Sequence, residues 1–403
     1  MTSATTRNTA VRLLAFLLAA LAMIGPFTID TYLPAFPAIR ADLGASNAQL
    51  QQTLSFYLGT VAVMTLFHGT LSDSFGRKPV ILVSLAVYTV TAAGCALATT
   101  WSSLLLWRAA QGLAAGAGII VGRAIIRDTQ TGADAQRLMS LVTMIFGVAP
   151  AVAPIIGGWL LDIAGWRAIF WFLAAYGGLL LLLCWAALPE SHALAARQPL
   201  APSVLWRNYR QLGGDWRLQC LCFAVAGNFS GFFIYIVSAP AVIYDILGLG
   251  VHDFPWLFVP GIAGVMIGAA ISGRLAGRMT ATACVQLGYA VMTTAAVLNL
   301  FYCAFFSPAL PWTVLPVMAY TVGMAIAMPG LTLLALDLYP TLRGMTASLQ
   351  GFMHSLIAGL AAGVVSPFVA GHALTLALSM AAFLLLGWTA WFFYRSRSQV
   401  SYE

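Results

Sequence analysis

Residues 13–37 read LLAFLLAALAMIGPFTIDTYLPAFP, an apolar run that carries a single charged side chain, Asp30. The run is longer than the roughly 20 residues that an α-helix needs to cross the hydrocarbon core of a bilayer. An ionisable side chain inside such a helix costs about 2.5–3.5 kcal/mol on insertion scales, and residues of this kind usually mark the path of an ion or a substrate. Asp30 is therefore the first candidate for a functional residue.

Runs of the same kind recur along the whole chain. Its 403 residues are 61% hydrophobic and 8% charged, whereas a soluble domain carries about 25% charged residues. The sequence predicts an all-α membrane protein with twelve transmembrane helices. The predicted spans are residues 13–37, 50–71, 79–99, 102–124, 138–161, 167–188, 218–243, 254–273, 282–305, 311–335, 345–369 and 373–394.

The placement of basic residues predicts the orientation. All but three of the nineteen Lys and Arg residues fall on the side shared by both termini, the exceptions being Arg40, Arg108 and Arg167. Because cytoplasmic loops of membrane proteins are enriched in Lys and Arg, both termini are expected in the cytoplasm. The net charge of +7 then reflects topology, and no nucleic-acid partner is predicted.

Signatures of enzyme chemistry are missing from the sequence. The single lysine, Lys78, is followed by Pro79, so there is no GxxxxGK[ST] phosphate-binding loop and an ATP-driven pump is not expected. Cys220 and Cys222 lie one residue apart without the further ligands of a metal site, and all six cysteines are interpreted as small packing residues. We predict no enzyme activity, no metal and no cofactor.

A polar connection divides the spans six and six. It predicts an N-terminal six-helix bundle at 1–189, a cytoplasmic linker at 190–216 and a C-terminal bundle at 217–403. A faint repeat supports the division, because Asp73-Ser-Phe-Gly76-Arg77 after span two is matched by Arg274-Leu-Ala-Gly277-Arg278 after span eight. Two matched halves around a site at the membrane midplane are a common plan of transporters.

Five short motifs, spread over both halves, carry a family resemblance. They are Gly69-Thr-Leu71-Ser-Asp73-Ser-Phe-Gly76-Arg77-Lys78, Arg108-Ala-Ala-Gln111-Gly112, Pro154-Ile-Ile-Gly157-Gly158, Asp30-Thr-Tyr32-Leu33-Pro34 and Arg343-Gly344. On these motifs the chain resembles the major facilitator superfamily and, within it, the twelve-span drug/proton antiporters of the bicyclomycin/chloramphenicol resistance subfamily. The resemblance implies two pseudo-symmetric six-helix bundles in a monomer of the bacterial inner membrane, which exports small lipophilic compounds or drugs in exchange for protons.

The proton-coupling residues are predicted to be Asp30 and Arg108. Each lies about seven residues from the outer end of its span, hence about 10 Å below the outer surface, and the two can meet if spans one and four are neighbours. A static ion pair between the two spans is the alternative, although buried pairs rarely repay their desolvation. Some related exporters have a second acid where this chain has Ala22, so divalent cations are not expected as cargo.

A conformational switch is predicted at the cytoplasmic ends of spans two to four. By resemblance, Asp73, Arg77 and Asp128 pair there, stabilise the outward-facing state and separate when the inner side opens. Ordinary interfacial charges are the alternative interpretation. Ala149 and Ala153 replace glycines that are usual in the antiporter signature of span five. The further residues assigned to the switch are Gly69, Gly76, Lys78, Pro154, Gly157 and Gly158.

The cargo site is expected to have apolar and aromatic walls with few polar groups, which suits lipophilic ligands of varied shape. Its predicted residues are Phe27, Tyr32, Gln111, Asn228, Phe232, Tyr235, Gln350 and Met353. On span one, Phe27, Asp30 and Pro34 have the spacing of one helix face. Aromatic stripes that face lipid or neighbouring helices are the alternative. Proton-coupled uptake of a small metabolite on the same fold also stays open, although the Pro154 motif favours export.

Overall fold

The computed structural model describes residues 2–197 and 200–399, and the regular elements in this part of the chain are helices apart from one bridge between Ala276 and Met279. Within these residues, twelve helical spans are long and apolar enough to cross a membrane, which confirms the predicted fold class. In chain order they are Arg12–Leu43, Asn47–Phe75, Arg77–Ala96, Trp101–Thr129, Arg137–Ala164, Trp166–Ala187, Trp216–Val237, Val251–Leu275, Ala281–Phe305, Leu315–Leu338, Arg343–Val369 and Ala373–Arg397.

Span one is broken at Asp30. Its first helix is Thr2–Asp30, and a 3₁₀ turn at Leu33–Ala35 leads into a second helix at Phe36–Leu43. A continuous helix would need the backbone N–H of residue 34 to bond the carbonyl of Asp30, and Pro34 has no N–H to donate. The single helix face expected to run from Phe27 through Asp30 to Pro34 stays a prediction beyond Asp30, where the regular α-helix ends.

Span four is also interrupted, at Gly116, into helices Trp101–Ala115 and Ala117–Thr129. Two spans of the second half contain or continue into a π-helix, at Ala241–Ile246 after span seven and at Ala361–Val365 within span eleven. Such irregular turns often occur at functional sites of membrane and soluble helices.

The chain divides into two compact units. The first comprises Met1–Ala45 with Gly59–Ala201, and the second comprises Ser46–Leu58 with Pro202–Glu403. The later boundary lies in the predicted linker, of which residues 198 and 199 fall outside the described residues, as do residue 1 and residues 400–403 of the predicted bundles. The linker is not wholly irregular, because Pro202–Gly214 is a helix that buries Leu212.

Glycines let helices of each unit approach at backbone distance, as small residues do in membrane proteins. In the first unit, a Cβ atom at Gly118 would overlap the carbonyl oxygen of Leu21, so spans one and four pack closely. In the second unit, a Cβ atom at Gly264 would overlap the carbonyl oxygen of Met318, which joins spans eight and ten in the same way. The core of each unit is therefore set by helix contacts that larger side chains would prevent.

Candidate functional site

Asp30 lies at the break in span one and is only 4% exposed. Of the basic residues that the structure describes, none lies within ion-pair distance of its carboxylate. One turn earlier, the Phe27 ring is buried against span six, with its centroid 5.5 Å from that of Tyr176. The carboxyl group is thus held inside the first unit, at the point where the regular α-helix ends.

Arg108 of span four is fully buried and held by two predicted site residues. Its Nη1 donates to Gln111 Oε1 at 2.7 Å, and its guanidinium carbon lies 4.9 Å from the centroid of the Tyr32 ring. Phe170 of span six packs 5.4 Å from Tyr32 and closes the aromatic side of this site. Tyr32 and Gln111 therefore position the guanidinium of Arg108.

Asp30 and Arg108 therefore belong to one region of the first unit without forming an ion pair in this structure. The Arg108 guanidinium packs on the ring of Tyr32, two residues after Asp30. Spans one and four are neighbours, as the prediction required. The static ion pair considered as the alternative is not the arrangement seen. Coupling between the two groups stays a prediction.

Span five approaches the same place. It is one continuous helix, Gly132–Ala164, which contains Pro150 and Pro154. Pro154, Gly157 and Gly158 are all buried. A Cβ atom at Gly157 would overlap the carbonyl oxygen of Thr31, the residue that directly follows Asp30. The glycine of the predicted switch motif therefore lies in backbone contact with the segment that carries the acid.

The second predicted cluster forms around Arg77 at the turn between spans two and three. Its Nη1 donates to Ser72 Oγ at 2.7 Å and to Asp73, and its Nε donates to Asp128 Oδ2 at 3.0 Å. Gly76 adopts φ +100°, a backbone conformation that side chains disfavour, and so turns the chain between the two helices. The three charged residues predicted to pair are thus brought together, whereas Lys78 Nζ donates to the carbonyl of Trp185.

Glu190 completes this cluster and was missed by the sequence analysis, which placed it in the linker. Its carboxylate accepts the backbone N–H groups of Arg77 at 3.0 Å and Lys78 at 3.3 Å, at the N-terminus of span three. A carboxylate at this position satisfies unpaired N–H groups and complements the helix dipole. The available signal was an acid two residues beyond the end of span six, on the side where spans two to four also place charges.

The predicted cargo residues of span seven are covered by neighbouring helices. Tyr235 accepts a hydrogen bond from Asn299 of span nine at 2.7 Å. Asn228 Oδ1 lies so close to Gly387 of span twelve that a Cβ atom on this glycine would overlap it. Phe232 packs against Gly261 of span eight. This placement favours the alternative that the stripe faces other helices, and cargo contact by these three residues stays a prediction.

On span eleven, Gln350 is 8% exposed, and its Nε2 has no hydrogen-bond partner among the described residues. Met353 is half-buried one turn further. Next to it, the His354 ring lies 4.1 Å from that of Phe229 of span seven. Cargo contact by Gln350 and Met353 stays a prediction.

Comparisons with known proteins agree on one family. A family profile described as Major Facilitator Superfamily matches residues 15–363. The bicyclomycin resistance protein homolog of Haemophilus influenzae is 28% identical over 94% of this chain and 95% of its own length. An uncharacterized MFS-type transporter of Bacillus subtilis, YdgK, is 32% identical over 93% of this chain and 92% of its own length.

The multidrug resistance protein MdtL of Escherichia coli O157:H7 is 33% identical over 57% of this chain and 58% of its own length. Among solved structures, a bacterial homolog of the human lysosomal transporter Spinster, in an inward-facing and occupied conformation, matches with a TM-score of 0.74. That match covers 98% of this chain and 97% of the other at 18% identity. It supports the fold alone.

Proposed function

The chain belongs to the major facilitator superfamily and is a multi-pass membrane transporter of small molecules, not an enzyme, and we propose that it exports small lipophilic compounds in exchange for protons. Two similar proteins are named for bicyclomycin and multidrug resistance, which supports drugs as cargo. The proposal includes a bacterial inner-membrane location, cytoplasmic termini as the Lys and Arg distribution predicts, and a monomer as the working unit.

The observation that carries the proposal is the buried carboxyl group of Asp30 at the break of span one. A charged carboxylate without a basic partner is costly in an apolar interior. Binding a proton removes that cost, so the group has a physical reason to gain and lose a proton as its surroundings change. Ionisable residues inside membrane spans usually mark a transport path, which supports the proposal.

Arg108 is proposed as the residue that sets when the proton leaves. A guanidinium close to a carboxyl group favours the charged form of the acid, and desolvation favours the neutral form. Gln111 and Tyr32 hold the guanidinium beside the chain that follows Asp30. A rearrangement of spans one, four and five would therefore change the balance between these two effects.

The proposed cycle couples this balance to cargo. In the outward-facing state Asp30 takes a proton as cargo leaves, and in the inward-facing state it releases the proton so that cargo can bind again. Each proton that enters contributes about 2.3 kcal/mol per 100 mV of membrane potential. The Arg77 cluster, with its bonds to Asp73 and Asp128, is proposed to stabilise one of the two states and to break in the other.

A susceptibility panel in an efflux-deficient host, followed by transport into inverted vesicles, tests the proposal. Asp30→Asn is expected to lose resistance and all uphill transport. The matched control is Asp134→Asn, because Asp134 is 70% exposed and pairs only with the exposed Arg137. Uphill export by the Asp30 variant would contradict proton coupling through this residue.

The direction of the imposed proton gradient separates export from uptake. Inverted vesicles that accumulate drug when their interior is acidified support antiport. Accumulation driven by protons moving in the same direction as the compound would instead support the alternative of metabolite uptake. The tight contact between Gly157 and Thr31 lies within the antiporter-like motif and favours export.

A further inference from the structure

A small cavity of about 110 Å³ lies inside the first unit, among spans one, four and five. Its walls are mostly apolar, with Leu18, Ala22 and Phe146 among them, and Thr143 adds a hydroxyl group. Arg123 is the one charged side chain among the described residues that line it. The cavity thus joins an apolar wall to a single cation.

Arg123 belongs to span four near its predicted cytoplasmic end, and its side chain is exposed at the cavity. It lies within two turns of the end of span four at Thr129, about 9 Å along the helix axis. No carboxylate that the structure describes lies within ion-pair distance of it. The nearest acid in sequence, Asp128, is bound instead by Arg77 and by the Ser191 hydroxyl at 3.1 Å.

We infer that this cavity is a subsite for the anionic end of the cargo, such as a carboxylate, with Arg123 as its ligand. The inference rests on the proposed export function and names the chemistry of the compounds that the site takes. An arginine binds carboxylates through a planar fork of N–H donors, and charged hydrogen bonds are about twice as strong as neutral ones. Because the cavity walls are mostly apolar, an anion bound there would interact with the guanidinium more strongly than it does in water.

The size of the cavity limits what enters it. Drug-sized ligands occupy sites of about 300–1,000 Å³, so 110 Å³ holds a carboxylate and a few carbon atoms, and the rest of the cargo lies outside. Ala22 lines the cavity where an acid would attract a cation. A cationic group would therefore meet only the like charge of Arg123, and the subsite selects against lipophilic cations.

A matched pair of probes tests the inference by direct binding to the purified full chain. 4-Phenylbutyrate and 4-phenylbutyramide have similar size and shape and differ in charge. Calorimetric titration of the wild type should give at least about tenfold tighter binding of the acid, as one charged hydrogen bond to a carboxylate provides. Arg123→Gln should remove this preference and leave the affinity for the amide unchanged.

Arg127→Gln is the control, because Arg127 is a basic residue one turn further along span four that does not line the cavity. It should keep the preference for the acid. Equal affinity of the wild type for acid and amide, no binding of the acid, or equal losses in both variants would overturn the inference. Arg123→Lys, which keeps the charge, should retain part of the preference and guards against a folding defect.

The binding assay is independent of proton coupling. If Asp30→Asn still transports uphill while Arg123→Gln loses the acid preference, the proposed function fails and the subsite stands. If Asp30→Asn loses transport and the acid preference is absent in the wild type, export stands and the subsite fails.

Discussion

Both halves of the molecule have a glycine with positive φ between two neighbouring spans, but the charges around it differ. The turn after span two contains Gly76 at φ +100°, and the turn after span eight contains Gly277 at φ +78°. Each glycine is followed by an arginine, Arg77 or Arg278. The faint sequence repeat thus corresponds to a glycine of positive φ in each half, although span three begins directly after Gly76 and span nine begins only at Ala281.

Among the described residues, only the arginine that follows the turn glycine in the first half has acidic partners. Arg77 is bonded by two carboxylates, whereas Arg278 forms no ion pair with the residues that the structure describes. The position that corresponds to Asp73 is occupied by Arg274. A glycine with positive φ therefore occurs between spans without the charge cluster, so the glycine alone does not explain the cluster.

The same asymmetry holds deeper in the membrane. The first half buries Asp30 and Arg108, while the charged residues of the second half lie at or beyond the ends of its spans. Its buried polar groups are neutral, as at Asn228 and Asn299. We therefore expect coupling to depend on substitutions in the first half and to tolerate comparable changes in the second.

The largest contrast is expected between two glycines that both contact backbone. Gly157→Ala would push span five away from Thr31, and Gly264→Ala would push span eight away from Met318. Both should lower the yield of folded protein. Only Gly157→Ala should also reduce uphill transport per folded molecule, by at least about tenfold, because a misplacement of about 1 Å near a working group costs about a hundredfold in favourable cases.

The measurement is drug accumulation in proteoliposomes, normalised to monodisperse protein. Gly147→Ala in the same span is the control, since a Cβ atom there would meet no atom within 4 Å. Equal losses per folded molecule at Gly157 and Gly264 would show that both glycines serve packing only, and the comparison between the halves would lose its functional meaning.

The next contrast concerns the carboxylates that end spans four and ten. Asp128 accepts from the largely buried Arg77, whereas Asp337 pairs with Arg343 at 3.2 Å and both partners are more than half exposed. Asp128→Asn should lower the free energy of unfolding by about 1.5–3 kcal/mol, as loss of a charged hydrogen bond does. Asp337→Asn should lower it by about 0–1 kcal/mol.

Thermal unfolding in detergent, with transport measured on the same samples, checks this ordering. Comparable destabilisation by the two substitutions would mean that the Arg77 cluster is an ordinary set of interfacial charges. A selective loss at Asp128 with a changed transport rate would support its role in a conformational switch.

The spans themselves could be predicted because each is an apolar run of the length that a bilayer demands. The turn glycines and the pairing of Arg77 with acids could be predicted as well, since short-range motifs fix both. The break at Asp30 was within reach, because Pro34 removes a required N–H. The prediction of one continuous helix for span one leaves out this effect of Pro34.

Side-chain partners across helices could not be predicted in the same way. Arg108 bonds Gln111 and packs on Tyr32 instead of pairing with Asp30, and the choice depends on how far each helix is rotated. Glu190 was assigned to a linker because composition marks the end of a span but not the contacts of the residues after it. Hydropathy predicts how deep in the membrane a residue lies, but it does not predict which neighbouring helix the side chain faces.

A smaller effect is expected at Asp215, which begins span seven of the second half. Burial alone would raise the pKa of this carboxyl group, but hydrogen bonds from Arg217 and Tyr339 outweigh it and hold the pKa below its usual range. Its stabilising contribution is therefore present above the unfolded pKa of about 3.9 and is lost as the pH falls through the lower folded value.

Asp215→Asn keeps a side chain that can cap the helix but removes the charge. It should lower the free energy of unfolding by about 0.3–1 kcal/mol at pH 5–8. The difference from the wild type should begin to shrink below about pH 4 and vanish only below the lower folded pKa. Unfolding midpoints in denaturant across this pH range give the curve. A difference that persists at low pH would show that the charge is not what matters.

The smallest effect is expected from restoring the missing acid in the second half by Arg274→Asp. The new carboxylate would be four residues before Arg278, as Asp73 is before Arg77, and an exposed pair of this kind contributes about 0–1 kcal/mol. It would also place negative charge in the last turn of span eight, which the helix dipole disfavours by about 0.3–1 kcal/mol. These effects oppose each other, and Asp337 already pairs with Arg343, so no third partner completes a cluster.

The free energy of unfolding should stay within about 0.5 kcal/mol of the wild type, and the transport rate should stay within about twofold. A large gain in stability would show instead that the second turn was built for charges that the sequence has since replaced.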